Sequence, residues 1–195
     1  MKTDIILAGV GGQGIITIAS ILGEAALLNN LYVKQSEIHG MSQRGGDVQS
    51  DFRISDRPIF SDLIPKGNAD LIVSMEPMEA LRYIPFLKEN GWIISNSRSF
   101  VNVDNYPDEN IIISEIKHNA YSLCIDIEKM SIEIGNPKSA NIVLLGAASP
   151  FIIIEEGKIE EAIKFIFQKK GINIINKNID AFRKGREITL SQIKK

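Results

Sequence analysis

Three rhythms of apolar and polar positions organise the chain. Residues 5–10, ILAGV preceded by Ile5, form a continuous apolar run that reads as a strand. The run breaks at a glycine cluster and resumes over 14–28, a stretch apolar on nearly every side and expected as a helix. Such a helix is either buried between the sheet and another layer or turned in part toward a protein partner. Ala19, Gly23 and Ala26 add small residues that allow close packing. A second strand is expected over 32–36. Residues 37–46 have no apolar period and read as a loop. Residues 47–54 then alternate strictly, with Val48, Ser50, Phe52 and Ile54 on one side, the mark of a half-exposed strand that suits an antiparallel or edge position.

Further along, Asp56, Arg57 and Pro58 mark a turn and 69–74 an apolar central strand. Helical spacing through Met78, Leu81, Ile84 and Leu87 predicts a helix over 76–89, kinked at Pro85. Strands are expected over 91–95 and 111–116, and a helix over 119–130 with Leu123, Ile127 and Met130 inward. Residues 141–148 are too apolar to be anything but buried. Amphipathic helices over 159–168 and 178–193 close the chain. Strands alternating with helices predict an α/β fold: a doubly wound, mostly parallel sheet with an antiparallel edge strand and helices on both faces. One domain, 1–195, accounts for the length, with the C-terminal helix, 176–195, as a peripheral element.

The glycine cluster between strand and helix is the first candidate for chemistry. Gly9, Gly11 and Gly14, with Gly12 and Gln13 between them, fit G-x-G-x-x-G. In that pattern the glycines permit a tight turn, close approach of a ligand and close helix–strand packing, while helix N–H groups favour an anion. A turn that serves packing alone has the same appearance. A nicotinamide site also needs an acidic residue about 20 positions on; Glu37 stands near that place. Beyond the second strand, Arg44 sits between Gln43 and the pair Gly45 and Gly46, in a loop expected beside the glycine turn. Its guanidinium suits bidentate recognition of a phosphate or carboxylate. It equally suits a tie to Asp47 or Asp51. His39 has the pKa range of a general acid or base, yet no nucleophile or carboxylate pair accompanies it, which favours a hydrogen-bonding loop residue. His118 reads as a surface or capping residue. Neither histidine supports a metal site, and no complete catalytic set is evident.

Composition narrows the classes. Twenty-two basic and 24 acidic residues leave a net charge of −2, without the basic, aromatic-laced patches of a nucleic-acid binder. Cys124 is the only cysteine, so neither an intramolecular disulfide nor a four-thiolate iron–sulfur cluster can form within this chain, and a reducing, cytoplasmic setting fits. Cys124 is expected as an inert core thiol. No segment reaches the about 18 uninterrupted apolar residues of a membrane span, and Asp4 and Glu24 interrupt any signal-like run at the start.

Four stretches together, GVGGQG at 9–14, EIHGMSQRGGDVQSDFRIS at 37–55, GNADLIVSMEPMEALR at 67–82 and NIVLLGAAS at 141–149, resemble the gamma-type subunits of the 2-oxoacid:ferredoxin oxidoreductases. The form HGMSQRGG, with His39 and Gln43, is most similar to the small subunit of the indolepyruvate type; a gamma subunit of the pyruvate or 2-oxoglutarate type, or a stand-alone NAD-dependent dehydrogenase, is the alternative. The resemblance implies a role shared with a larger partner that carries thiamine diphosphate and 4Fe–4S clusters, decarboxylates an arylpyruvate, passes electrons to ferredoxin and forms an acyl-CoA. It further implies that Gly11, Gly12, Gln13 and Gly14 line a coenzyme A phosphate site. Arg44, Gly45 and Gly46 would face the coenzyme or the partner's active site, with Glu37, His39 and Ser42 in the same loop.

Overall fold

The computed structural model describes residues 1–40, 45–101, 105–119 and 121–193. Among these, β1 (Lys2–Val10), β2 (Tyr32–His39), β3 (Asp47–Ser55), β4 (Ala69–Ser74), β5 (Leu87–Asn96) and β6 (Ser122–Ile125) form one sheet in the order β2-β3-β1-β4-β5-β6. Parallel pairing joins β1 to β4, β4 to β5 and β5 to β6. The alternating strand β3 is antiparallel to both β1 and β2 and lies one place inside the edge, which β2 forms. Because β3 intervenes, β2 returns to the direction of β1, and both end at the same margin of the sheet.

Side-chain alternation in β1 feeds two cores. Ile5 and Leu7 point to one face, covered by α1 (Ile15–Leu28), α4 (Ile127–Glu133), α5 (Ala140–Ala148), α6 (Glu156–Phe167) and α7 (Ile172–Ile193). Ile6 and Ala8 point to the other, covered by α2 (Pro77–Arg82) and α3 (Glu109–Lys117). A strand covered on both sides needs apolar residues at successive positions, which is why 5–10 shows no alternation. In α1, Ile18, Ile21 and Leu22 are fully buried, each worth about 1.5–3 kcal/mol of transfer free energy. Ile16 and Leu27 on its opposite side stay exposed. No described helix is long and apolar enough to cross a membrane.

Four elements differ from the sequence reading. Strand β2 continues through Glu37, Ile38 and His39, because these residues pair with Ser50, Gln49 and Val48 of β3, so the loop starts only at Gly40. The helix predicted over 76–89 stops at Arg82; Pro85 falls in a short 3₁₀ turn, Ile84–Phe86, and Leu87 already belongs to β5. Proline has no N–H to continue the ladder and disfavours the helical conformation of the residue before it.

Residues 111–116 form part of helix α3 rather than a strand. Ile112 and Ile116, four apart, share its buried face, and Asp108 caps it by accepting the Asn110 N–H at 2.8 Å. The helix expected over 119–130 divides into β6 and α4. Asp126 ends the strand and caps the new helix, accepting the Lys129 N–H at 2.9 Å. Cys124 therefore sits on a strand, half-buried against the second core. Residues 141–148 lie within α5, where all but Asn141 are buried.

Candidate functional site

The glycine turn occupies the margin where β1, β2, β4, β5 and β6 all end. Its shape is set by Gln13 as much as by the glycines. The Gln13 backbone N–H donates to the Val10 carbonyl at 3.1 Å, closing the turn. Its side-chain Oε1 accepts the Val10 N–H at 2.7 Å, and its Nε2 lies 3.5 Å from the Met75 carbonyl at the end of β4. A β-carbon at Gly9 would stand 2.9 Å from Gln13 Oε1 and 3.0 Å from Met75 Cβ, so glycine there makes room for this side chain. Gly12 and Gly14 have φ of 101° and 91°, backbone that side-chain-bearing residues rarely adopt.

Gly14 leads into α1 with no side-chain cap, and the first turn of α1 holds no acidic residue. The N–H groups there keep the partial positive charge of a helix start. They face a cleft of about 260 Å³ whose lining includes Gly11, Gly12, Gly14, Thr17, His39 and Val48. A helix start of this kind favours a negatively charged group.

Two loops meet at this margin, as expected, though through different strands. His39 lies opposite Val48, and Val48 opposite Gly9, so β3 forms the bridge between β2 and β1. Gly46 accepts the Gly11 N–H at 2.8 Å, which commits Gly11 to holding the loops together. Gly45 has φ of 79° and open space where a side chain would stand. Ser42, Gln43 and Arg44 lie outside the described residues. Glu37 stands on β2, and its carboxylate is engaged by His39 Nε2 at 2.5 Å and by Gln35 Nε2 at 3.1 Å. Among the described residues no group of three or more His, Cys, Asp or Glu side chains is placed to hold a metal ion.

A larger cleft, about 520 Å³, opens on the other side of Gln13, with Asn96, Arg98, Asp126, Glu128 and Ile132 in its wall. Sequence reasoning missed these residues; the usable signal was a polar SNSR directly after an apolar strand. Asn96 is buried, and its Nδ2 lies 3.2 Å from the Met75 carbonyl, 3.0 Å from that of Arg98 and 3.1 Å from Glu128 Oε1. Met75 O thus receives both Gln13 and Asn96, joining the ends of β1, β4 and β5. Burial pushes the Glu128 carboxyl above its ordinary value. Arg98 is paired with Asp126 at 2.9 Å.

Deeper in the sheet, Glu76 caps α2 by accepting the Glu79 N–H at 2.9 Å and takes the Tyr106 hydroxyl and the Phe100 N–H on its other oxygen. Burial raises its carboxyl as well. These bonds stabilise the segment after β5 and leave Glu76 with no route to a ligand.

Comparison with known proteins adds four findings. The sequence pattern of the family described as pyruvate ferredoxin/flavodoxin oxidoreductase matches residues 4–188. The chain is 39% identical over 192 residues to the indolepyruvate oxidoreductase subunit IorB of Thermococcus kodakarensis, covering 93% of each chain. It is 38% identical to the subunit of the same name from Pyrococcus horikoshii, covering 91% of this chain and 92% of that one. Its fold is similar, at TM-score 0.79 and 23% identity, to a 2-oxoglutarate:ferredoxin oxidoreductase from Magnetococcus marinus solved with 2-oxoglutarate, coenzyme A and succinyl-CoA bound. That likeness covers 97% of this chain and 31% of the longer one.

Proposed function

The chain belongs to the pyruvate ferredoxin/flavodoxin oxidoreductase family, and from that premise we propose that it is the small subunit of an indolepyruvate-type 2-oxoacid:ferredoxin oxidoreductase. The observation that carries this reading is the near full-length match, at 39% identity, to an indolepyruvate oxidoreductase subunit. In the reaction a 2-oxoacid loses CO2, its acyl group joins coenzyme A, and two electrons leave for ferredoxin. Thiamine diphosphate and 4Fe–4S clusters supply the decarboxylation and the electron path, and we assign both to a larger partner subunit. The sole thiol, Cys124, cannot anchor a four-thiolate cluster.

This chain's own work is to bind and position coenzyme A. N–H groups at the start of α1 receive a phosphate in the cleft over Gly12 and Gly14, and Gln13 and the Gly11–Gly46 bond hold the turn in shape. Gln43 and Arg44, with Gly45 and Gly46, are the further candidates for the coenzyme or the partner's active site, together with Glu37, His39 and Ser42 of the same stretch of sequence. A stand-alone nicotinamide-dependent dehydrogenase is disfavoured, because the near full-length match is to an oxidoreductase subunit and no complete catalytic set is evident in the chain. The complex is assigned to the cytoplasm, where a lone thiol stays reduced.

Anaerobic affinity purification of the chain from its native lysate tests the reading. The expected eluate contains a larger, iron-containing partner and reduces a viologen dye in a reaction that needs both indolepyruvate and coenzyme A. A chain recovered alone with bound NAD(H) overturns it.

A further inference from the structure

The sheet has two open edges, and they are guarded differently. β6 at one end has only four residues, a length that leaves little to pair with. β2 at the other end runs for eight, holds no proline and pairs with β3 without a shift of register. Gly40 donates its N–H to the Asp47 carbonyl at 2.9 Å, so the even-numbered residues of β2 turn their backbone groups toward β3. Val33, Gln35 and Glu37 therefore turn theirs outward, where no strand lies among the described residues. Lysine is a usual guard of such an edge, and β2 has just one, Lys34.

The side chains of this edge are symmetric about Gln35. Its exposed apolar residues, Tyr32 at 51% and Ile38 at 55%, stand equally far to either side of it. In an antiparallel pair related by a two-fold axis normal to the sheet, one residue lies opposite its own copy and its neighbours pair in reverse order. With Gln35 on that axis, Tyr32 of each copy meets Ile38 of the other, an aromatic–aliphatic cross-strand pair made twice. Val33, Gln35 and Glu37 of the two copies then supply about six inter-strand hydrogen bonds. Lys34 falls opposite Ser36, and the two Lys34 side chains meet only on a diagonal, about 7–8 Å apart.

A strand edge alone is small beside the about 800 Å² per partner that a stable interface takes, and α1 supplies further surface on the same side. One flank of α1 packs on α6. The other carries Ile16, Ser20, Gly23 and Leu27 and overlooks β2 and β3: Ile16 shares a cleft with His39, and a β-carbon on Gly23 would stand 4.0 Å from the Phe52 ring. No charge interrupts this stripe, and Ser20 turns its hydroxyl back onto the Ile16 carbonyl at 2.8 Å. It too reads the same in reverse, large, small, small, large. A two-fold axis sets Ile16 against Leu27 of a second copy and lets the Ser20 and Gly23 backbones approach. α1 begins beside His39, and only residues 29–31 separate its end from Tyr32. The middles of helix and strand therefore stand at the same height, and one axis serves both.

We propose that β2 and this flank of α1 form a docking surface for a second copy of the chain, in which two sheets join edge to edge across Gln35. Such a contact between like subunits is independent of the coenzyme role and goes beyond the subunit reading given above.

The test is sedimentation equilibrium of the full chain, with and without the larger subunit. The chain is expected to run at twice its 21.6 kDa. Ile38→Lys and Leu27→Arg, both at exposed positions, raise the dimer Kd at least about tenfold each while the far-ultraviolet spectrum stays that of the wild type. The register is read by cross-linking in a Cys124→Ser background. Gln35→Cys sets two thiols across the axis within the about 4.4–6.8 Å Cα spacing of a disulfide, and mild oxidation yields a covalent dimer. Ser36→Cys, whose copies stand about 7–8 Å apart on a diagonal, yields none. A monomer at every concentration overturns the proposal, as does a dimer that both charge substitutions leave intact or that Gln35→Cys does not link. So does a larger subunit that splits the dimer on binding, because the edge then belongs to that partner. The subunit assignment stands in each of these cases.

Discussion

The N–H of Gly11 donates to the carbonyl of Gly46 at 2.8 Å, fastening the turn after β1 to the end of the β2–β3 connection. Arg44 precedes that anchored glycine by two residues. Arg44→Ala is expected to leave the urea midpoint and far-ultraviolet spectrum unchanged while impairing the complex. A charge-assisted pair to a phosphate is worth about 1.5–3 kcal/mol, or roughly ten- to hundredfold in affinity. Steady-state KM for coenzyme A and the subunit Kd report the loss, and wild-type values for both remove Arg44 from the site.

A second close approach holds the helical layer together. A β-carbon on Gly146 of α5 would overlap the Phe182 carbonyl of α7, and one on Gly185 of α7 would overlap the Val143 carbonyl of α5. The obstructing atoms are backbone, so no rotamer change relieves the clash and the helices must part. Gly185→Ala gains about 1 kcal/mol in helix propensity, yet overpacking costs typically 1–3 kcal/mol and more against backbone. The net expectation is a lower urea midpoint at unchanged m. A midpoint at or above wild type would show that α5 and α7 can separate freely.

How much was legible follows from where each signal lives. β1 and β4 declare themselves through apolar runs, because strands covered on two faces need apolar residues at successive positions; α1 does so through a run that is apolar even at the exposed Ile16 and Leu27. The run of three isoleucines at 111–113 favours a strand by propensity, but the Asp108 cap and the burial of Ile112 and Ile116 one turn apart make it helical. The glycine turn was visible since its residues are contiguous. The adjoining cleft was not, because Asn96 and Glu128 meet from positions 32 apart, and neither type is unusual at a strand end or in a helix. That Glu37 is held by His39 likewise depends on β2 running past Ser36, which no local pattern announces.

Cys124 offers a simple check on the placement of β6. Burial pushes its thiol up to about 11, against a small opposing pull from Lys117. Only the thiolate is nucleophilic, so at pH 8 the native protein is expected to react with a disulfide reagent at least about tenfold more slowly than the urea-unfolded chain. Equal rates would mean that the strand opens readily or that the thiol stands free.

Asp4 and Arg53 form the pair whose pH dependence is most informative. Arg53 Nε and Nη2 donate to the two Asp4 carboxylate oxygens at 2.9 and 3.0 Å, and Lys2 adds a third bond at 2.7 Å. The same guanidinium donates through Nη1 to the carbonyls of Ser61 and Leu63, so the pair also anchors the loop before β4. Burial alone would raise the Asp4 carboxyl, but the bonds to Arg53 and Lys2 outweigh it and hold it below its ordinary 3.8. A carboxyl lowered on folding stabilises the native state above its unfolded pKa, and that contribution disappears as pH falls through the folded value. Asp4→Asn leaves Arg53, itself largely buried, without a balancing charge, a change expected to cost about 3 kcal/mol near neutral pH. The gap between wild type and variant is flat from neutrality down to 3.8 and narrows below it. Urea titrations at a series of pH values measure this directly. A gap that stays constant into strong acid would show that Asp4 acts through packing and not through its charge.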